Sequence, residues 1–76
     1  MSLSDNLRRN IITRRSALGY SQEHLGHASG YSVKYIGRIE QGRQANATLS
    51  FVEAVAGALM CEPAELLAKR QQVQQA

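Results

Sequence analysis

Three glycines, spaced eleven and twelve residues apart, limit how long any helix in the first half of this chain can be. Gly19, Gly30 and Gly42 each follow a segment whose apolar residues recur at intervals of three and four. Glycine at such a place readily takes the left-handed conformation that ends a helix. No segment shows the alternation of polar and apolar residues that a half-buried strand requires. The sequence therefore predicts an all-α fold made of short helices.

Serine, threonine and proline residues mark where these helices begin. A side-chain oxygen just before a helix can accept from its free backbone amides, and proline suits the first turn. The predicted starts are Ser4, Ser21, Ser32, Thr48 and Pro63. The apolar spacing also assigns Leu18, Ala28 and Leu49 to inner helix faces. We therefore expect a compact bundle of five short helices.

A length of 76 residues allows one domain, near the lower limit at which an apolar core alone can offset chain entropy. We expect a single domain over 1–76, with a folded core at about 4–69 and a polar tail, 70–76, that frays. A deep catalytic cavity is not expected in so small a domain.

Basic side chains are concentrated in the first half of the chain. Residues 1–43 carry seven basic and three acidic side chains, whereas residues 44–76 carry two and three. This asymmetry favours an anionic partner such as nucleic acid, although many basic domains have other functions.

The sequence argues against several other classes of protein. Cys61 is the only cysteine, so the chain has no internal disulfide, and a reducing compartment is the simpler assumption. No apolar run reaches membrane-spanning length and no signal-peptide core is present, so we expect a cytoplasmic protein without membrane contact. We also find no nucleophile elbow, phosphate loop or pair of carboxylates, and we expect neither an enzyme nor a cofactor.

His24 and His27 lie three residues apart, and Cys61 could add a third metal ligand. Structural zinc sites use four protein ligands, and no fourth is evident. We therefore predict no metal site: the histidines are expected to be exposed and the thiol structural.

Residues 20–42 combine two short amphipathic helices with a turn that contains Gly30. A helix, a short turn and a second helix form the geometry that lays the second helix in the DNA major groove. A short helix pair is nevertheless common in all-α proteins, and the motif alone is weak evidence.

The details of three segments resemble the phage repressor and Cro type of helix-turn-helix family, also called the xenobiotic-response-element family. The segments read LGYSQEHLG, SGYSVKYIGRIEQG and TLSFVEAVAGALMCEPAELL, and the resemblance covers roughly residues 7–67. It implies a lambda-repressor-like domain of five helices that binds a palindromic operator as a two-fold dimer. Stand-alone regulators of this type include Cro-type repressors and restriction-modification controller proteins.

The resemblance makes the third helix the recognition helix, which assigns two sets of DNA contacts. The predicted base-reading residues are Ser32, Val33, Lys34 and Arg38. Lysine and arginine can donate to guanine, and valine can contact a thymine methyl. The predicted phosphate-binding residues are Gln22, Tyr35, Arg43 and Asn46. For Tyr35, packing at the domain edge is the alternative.

The resemblance also implies a structural ion pair between Arg15, near the end of helix one, and Glu40, near the end of the recognition helix. Met60 stands where the family usually has glycine at the end of the fourth helix. That helix should therefore end differently or hold Met60 under backbone strain.

We expect homodimerisation through the C-terminal helices, because these carry more apolar side chains than one small core can hold. The residues on which this expectation depends are Phe51, Met60, Leu66, Leu67 and Val73. An antitoxin-type interaction module of the same fold, with autoregulatory DNA binding, is the alternative function. The sequence favours the regulator, because antitoxins usually carry an extended toxin-wrapping segment and only about ten residues follow the predicted bundle. No effector domain is evident, so no small-molecule effector is expected.

Overall fold

The computed structural model describes residues 3–44 and 47–69, and these ranges contain five helices and no strand. The helices are α1 (Leu3–Ala17), α2 (Gln22–Ser29), α3 (Val33–Glu40), α4 (Leu49–Ala58) and α5 (Pro63–Leu67). The all-α prediction is confirmed. Asn46, Val73 and the tail 70–76 lie outside the described residues.

Three of the predicted N-caps act as such. The side-chain oxygens of Ser21, Ser32 and Thr48 accept from backbone amides three residues later, at 2.9–3.1 Å. Ser4, in contrast, lies inside α1, which already begins at Leu3. An N-cap lies outside the helix with extended backbone, so the prediction for Ser4 is wrong.

Left-handed residues end four of the helical segments. The φ angles of Gly19, Gly30 and Gly42 are 73°, 83° and 76°, as predicted. Met60 takes the same place after α4 with φ 60°. Its amide and the next one donate back into α4 at 3.1 and 3.0 Å, which is the hydrogen-bond pattern of a glycine-ended helix. The second of the two expected outcomes, strain at Met60, therefore applies, since a side chain disfavours this conformation.

The core draws on every helix and, among the described residues, is wholly apolar apart from Glu40. The buried apolar side chains are Leu7, Ile11, Leu25, Ile36, Ile39, Phe51, Val52, Val55, Ala56, Leu59 and Leu66. Leu49 and Leu18, assigned to inner faces, are 75% and 39% exposed, and Ala28 is also exposed. These three assignments are wrong because each residue lies near a helix end, where the bundle no longer covers the expected face.

Two of the C-terminal apolar side chains that favoured dimerisation lie fully inside a single protomer. Phe51 and Leu66 have no exposed surface, because they fill the core of a single protomer. Leu67 is partly buried against that core, whereas Met60 is 70% exposed. A single bundle can thus bury more of the C-terminal apolar side chains than the sequence suggested.

Side-chain amides of α1 hold the short α5 in place. Asn10 Nδ2 donates to the carbonyl oxygens of Leu66 and Ala68, both at 2.8 Å, and Asn6 Nδ2 donates to Leu67 O at 3.1 Å. These bonds satisfy carbonyls that the end of a helix leaves without partners. In the described ranges, no helix has the length and apolar character needed to cross a membrane.

Candidate nucleic-acid interface

Close contact between α2 and the turn that follows it determines the geometry of the helix pair. A Cβ on Gly26 would lie 2.6 Å from the backbone oxygen of Tyr31 and 3.3 Å from the backbone nitrogen of Val33. The element that approaches Gly26 so closely is therefore the turn itself and not another helix. Any larger residue would push the start of α3 away from α2.

α3 has one buried and one exposed face. Ile36 and Ile39 point into the core with 0% and 3% exposure. The four predicted base-reading residues, Ser32, Val33, Lys34 and Arg38, are all exposed. Val33, Lys34 and Arg38 lie along one open face of α3, whereas Ser32 lies with Val33 on the depression between α2 and α3. The hydroxyl of Ser32 also caps α3, which leaves its hydrogen available for donation.

A shallow open groove runs along this exposed face. Its lining residues are Gln22, Val33, Lys34, Gly37, Arg38 and Gln41. We call it the α3 groove. One wall comes from α2, through Gln22, and the floor and remaining walls come from α3. Both basic side chains of α3 line it. The groove therefore combines positive charge with backbone at Gly37 that no side chain covers.

Arg15 and Glu40 form the ion pair that the family resemblance implies. Arg15 Nε and Nη2 donate to the two oxygens of Glu40 at 2.6 and 3.0 Å, and Arg15 Nη1 donates to Tyr20 O at 2.8 Å. The side chains are only 18% and 6% exposed. The pair therefore connects the ends of α1 and α3 with the turn before α2. Its bidentate geometry makes it stronger and more specific in orientation than a single hydrogen bond.

Gln22 joins this pair, an interaction that the sequence analysis missed. Its Nε2 donates to Glu40 Oε1 at 2.9 Å. A carboxylate can only accept, so this bond determines which end of the amide faces Glu40 and turns Oε1 towards α3. Gln22 was assigned to phosphate only. Its position at the groove leaves a second amide hydrogen for that role, and no local pattern in the sequence indicated the bond to Glu40, eighteen residues away.

The other predicted phosphate-binding residues lie in different surroundings. Arg43 is exposed, immediately beyond the turn that ends α3. Tyr35 is partly buried, with its ring centroid 5.4 Å from that of Tyr31 and 5.0 Å from that of Phe51. The ring thus packs at the domain edge, which was the alternative considered for Tyr35. Asn46 is not among the described residues.

Arg8 lies closer to the end of α3 than the sequence suggested. A Cβ on Gly42 would meet Arg8 Cδ at 3.5 Å and Nε at 3.7 Å. The guanidinium side chain of α1 therefore passes over the turn that precedes Arg43. No local spacing in the sequence indicates this approach, which joins residues 34 positions apart.

The two histidines lie on α2, outside the α3 groove but beside it, since Val33 lines both. His24 packs on Tyr20 with ring centroids 4.2 Å apart, and both histidines line an open depression with Tyr31 and Val33. Cys61 packs against the core after α4, where burial raises the pKa of its thiol and the nearby Arg14 partly offsets that effect. Within 3–44 and 47–69, no three His, Cys, Asp or Glu side chains converge on a point where a metal ion could bind.

Known proteins share this fold and helix pair. A family model described as a helix-turn-helix domain matches residues 7–68. The restriction-modification controller protein C.AhdI from Aeromonas hydrophila is similar, with 36% identity and a TM-score of 0.76 over 80% of this chain and 91% of that one. The hypothetical transcription factor NHTF from Neisseria shares 33% identity, with a TM-score of 0.83 over 88% of this chain and 76% of that one.

A third solved structure, the clp gene regulator ClgR from Corynebacterium glutamicum, is 25% identical with a TM-score of 0.80 over 88% of this chain and 70% of that one. No curated protein matches the chain significantly. The family match spans α2 to α5 entirely and most of α1, so it covers every described residue of the α3 groove.

Proposed function

The chain belongs to the helix-turn-helix domain family, and on that premise we propose that it is a sequence-specific transcriptional regulator that reads duplex DNA with α3. The family match and the controller protein among its structural relatives confirm the resemblance noted in the sequence. The proposed activity is binding in the cytoplasm, without a chemical step.

The observation that carries this proposal is the division of α3 into two faces. The face with Ile36 and Ile39 is buried, whereas Val33, Lys34 and Arg38 project outward on a helix held at its end by the buried Glu40. Lysine and arginine can donate to guanine O6 and N7, and valine can contact a thymine methyl. A rigid helix with these exposed side chains suits entry into the major groove.

We further propose that two copies bind a palindromic operator as a homodimer through the C-terminal helices. The support is the exposed apolar surface that remains at the two ends of α4, where Leu49 and Met60 are 75% and 70% exposed. In a dimer that covers them, these side chains would leave water, which is the dominant favourable term in most protein association. Sedimentation at high micromolar concentration, with and without operator DNA, tests this: a monomer under both conditions contradicts the dimer.

Arg38 and Arg43 test the assignment of the DNA surface, since the two have the same charge and different positions. Arg38→Ala should weaken binding to the cognate operator by about 1–3 kcal/mol and binding to random DNA much less, because it removes a hydrogen bond to a base. Preference at one base pair of each half-site should be relaxed. Titration of cognate and scrambled duplexes, after selection of the cognate from random DNA, measures both effects.

Arg43→Ala is the matched variant, because this side chain lies beyond the turn that ends α3 and should reach only phosphate. It should weaken cognate and random duplexes equally, and the salt dependence of binding should fall by about one unit of slope for each phosphate that the variant no longer neutralises. An unchanged ratio of cognate to random affinity in Arg38→Ala would show that the reading surface lies elsewhere.

A further inference from the structure

Gly37 lies in the interior of α3, on the face that carries Lys34 and Arg38, and no neighbour in the described part of the protomer explains a glycine there. A Cβ at this position would meet Gln22 Oε1 at 3.8 Å, an ordinary van der Waals distance, and no other described atom outside its own stretch of helix within 4 Å. Glycine inside a helix is less stable than alanine, because its backbone loses more freedom on folding. Alanine would therefore fit at position 37 and stabilise the helix, yet the protein has glycine there.

At two other positions, contacts or backbone angles within the protomer explain why the residue is glycine. Gly26 has the turn backbone 2.6 Å from the place of its Cβ, and Gly42 has φ 76°. A side chain at either position would clash or strain the backbone. Gly37 has neither restriction, so the reason for a glycine at this position lies in a ligand outside the protomer.

The surroundings of Gly37 determine what that ligand can be. Val33, one turn earlier, is 43% exposed and forms an apolar wall. Gln22 also lines the groove, and its bond to the buried Glu40 orients its amide there. Lys34 and Arg38 line the same groove and supply positive charge. A small apolar group on a polyanion suits a groove that combines the uncovered Gly37 backbone and the apolar side chain of Val33 with positive charge.

We propose that the α3 groove receives the 5-methyl group of a thymine, seated on the Gly37 backbone against Val33, so that Gly37 makes the protein selective for thymine at one position of each half-site. The inference rests on the proposed function and specifies which base the groove reads. Thymine is the DNA base with a methyl group in the major groove. An alanine Cβ would occupy the volume that this methyl needs.

The test compares the wild-type protein with Gly37→Ala and with the matched control Gly57→Ala. Gly57 is exposed on α4, and a Cβ there would meet no described atom within 4 Å. Both variants should melt about 2–8 °C above the wild type, because each replaces a helical glycine at an unstrained site. A Gly37→Ala protein that melts lower than the wild type would show that the fold needs the glycine, and would overturn the inference.

The DNA arm begins with duplexes that the wild-type protein selects from random sequence. Each thymine of a half-site is then replaced by uracil, which removes only the methyl group. At one position, uracil should weaken wild-type binding by about fourfold, the effect of one buried methyl. The variant Gly37→Ala should bind the thymine duplex at least that much more weakly and should not distinguish thymine from uracil there. The control Gly57→Ala should keep the wild-type ratio of thymine to uracil affinity, which a change in dimer affinity on α4 would not alter.

Failure of the thymine inference can be distinguished from failure of the proposed function. If the wild type selects a motif but uracil is harmless at every position, the inference is wrong and the proposed function stands. If Gly37→Ala weakens selected and scrambled duplexes alike, the groove contacts sugar and phosphate, and the inference is again wrong. If the wild type selects no sequence at all, the proposed function fails and the inference fails with it.

Discussion

Arg14 and Arg15 are adjacent in α1, and each pairs with a glutamate from another helix in very different surroundings. Arg15 makes two bonds to Glu40, at 2.6 and 3.0 Å, between side chains that are 18% and 6% exposed. Arg14 Nη2 lies 3.8 Å from Glu65 Oε1, between side chains that are 39% and 51% exposed. Adjacent residues on a helix point in different directions, so Arg15 forms a buried bidentate pair and Arg14 forms a long, exposed one.

The two junctions of α1 are therefore stabilised in different ways. Removal of one partner from a buried pair leaves an uncompensated charge in the interior, whereas water screens a charge left at the surface. The α1–α3 junction depends on the ion pair. The α1–α5 junction depends instead on neutral hydrogen bonds from Asn6 and Asn10 to the carbonyls that end α5.

The largest effect is expected at the α1–α3 junction. Arg15→Ala should lower the free energy of unfolding by about 1–3 kcal/mol, because Glu40 would be left buried without its cation and Tyr20 O without its donor. DNA binding should weaken at every sequence alike, since the orientation of α3 is loosened while the proposed base-reading side chains themselves are unchanged. Chemical denaturation and titration of selected and scrambled duplexes measure the two effects.

Arg15→Lys separates the contribution of charge from that of geometry, because lysine keeps the positive charge but cannot form the bidentate hydrogen bonds. A stability between those of the wild type and Arg15→Ala is expected. If Arg15→Ala unfolds at the same denaturant concentration as the wild type, the pair adds nothing to stability and the contrast between the two junctions disappears.

A smaller effect is expected at the α1–α5 junction. Asn10→Ala should lower the free energy of unfolding by about 1 kcal/mol, since it removes the amide that donates to Leu66 O and Ala68 O. The affinity ratio of selected to scrambled DNA should stay at its wild-type value, because α5 does not line the α3 groove. A destabilisation as large as that of Arg15→Ala would show that neutral amides and the buried ion pair contribute equally.

The smallest effect is expected for Arg14→Ala, the neighbour of Arg15. This substitution should change the free energy of unfolding by less than about 0.5 kcal/mol, because the pair with Glu65 is long and largely solvated. Repeating the denaturation at low and high salt checks the reason, since an exposed pair should contribute least at high salt. A destabilisation above about 1 kcal/mol would remove the distinction between exposed and buried pairs.

Local signals in the sequence were sufficient for the order and type of the helices. Ser21, Ser32 and Thr48 cap helices because a side-chain oxygen reaches an amide three residues later, an interaction that needs no distant partner. Gly30 and Gly42 end helices for an equally local reason, their freedom to adopt positive φ. The residues of α3 that the sequence predicted to read bases are likewise all exposed, whereas Ile36 and Ile39 are buried.

Interactions between distant segments determined the rest. The burial of Phe51 and Leu66 in one protomer, the bond from Gln22 to Glu40 and the placement of Arg8 over Gly42 all depend on how the helices cross. The sequence by itself determined which segments are helical and which face of α3 is polar, because capping, φ preference and periodicity act within a few residues. Only the tertiary structure decided which charges are desolvated and which glycine is left unexplained, because burial is a property of packed neighbours.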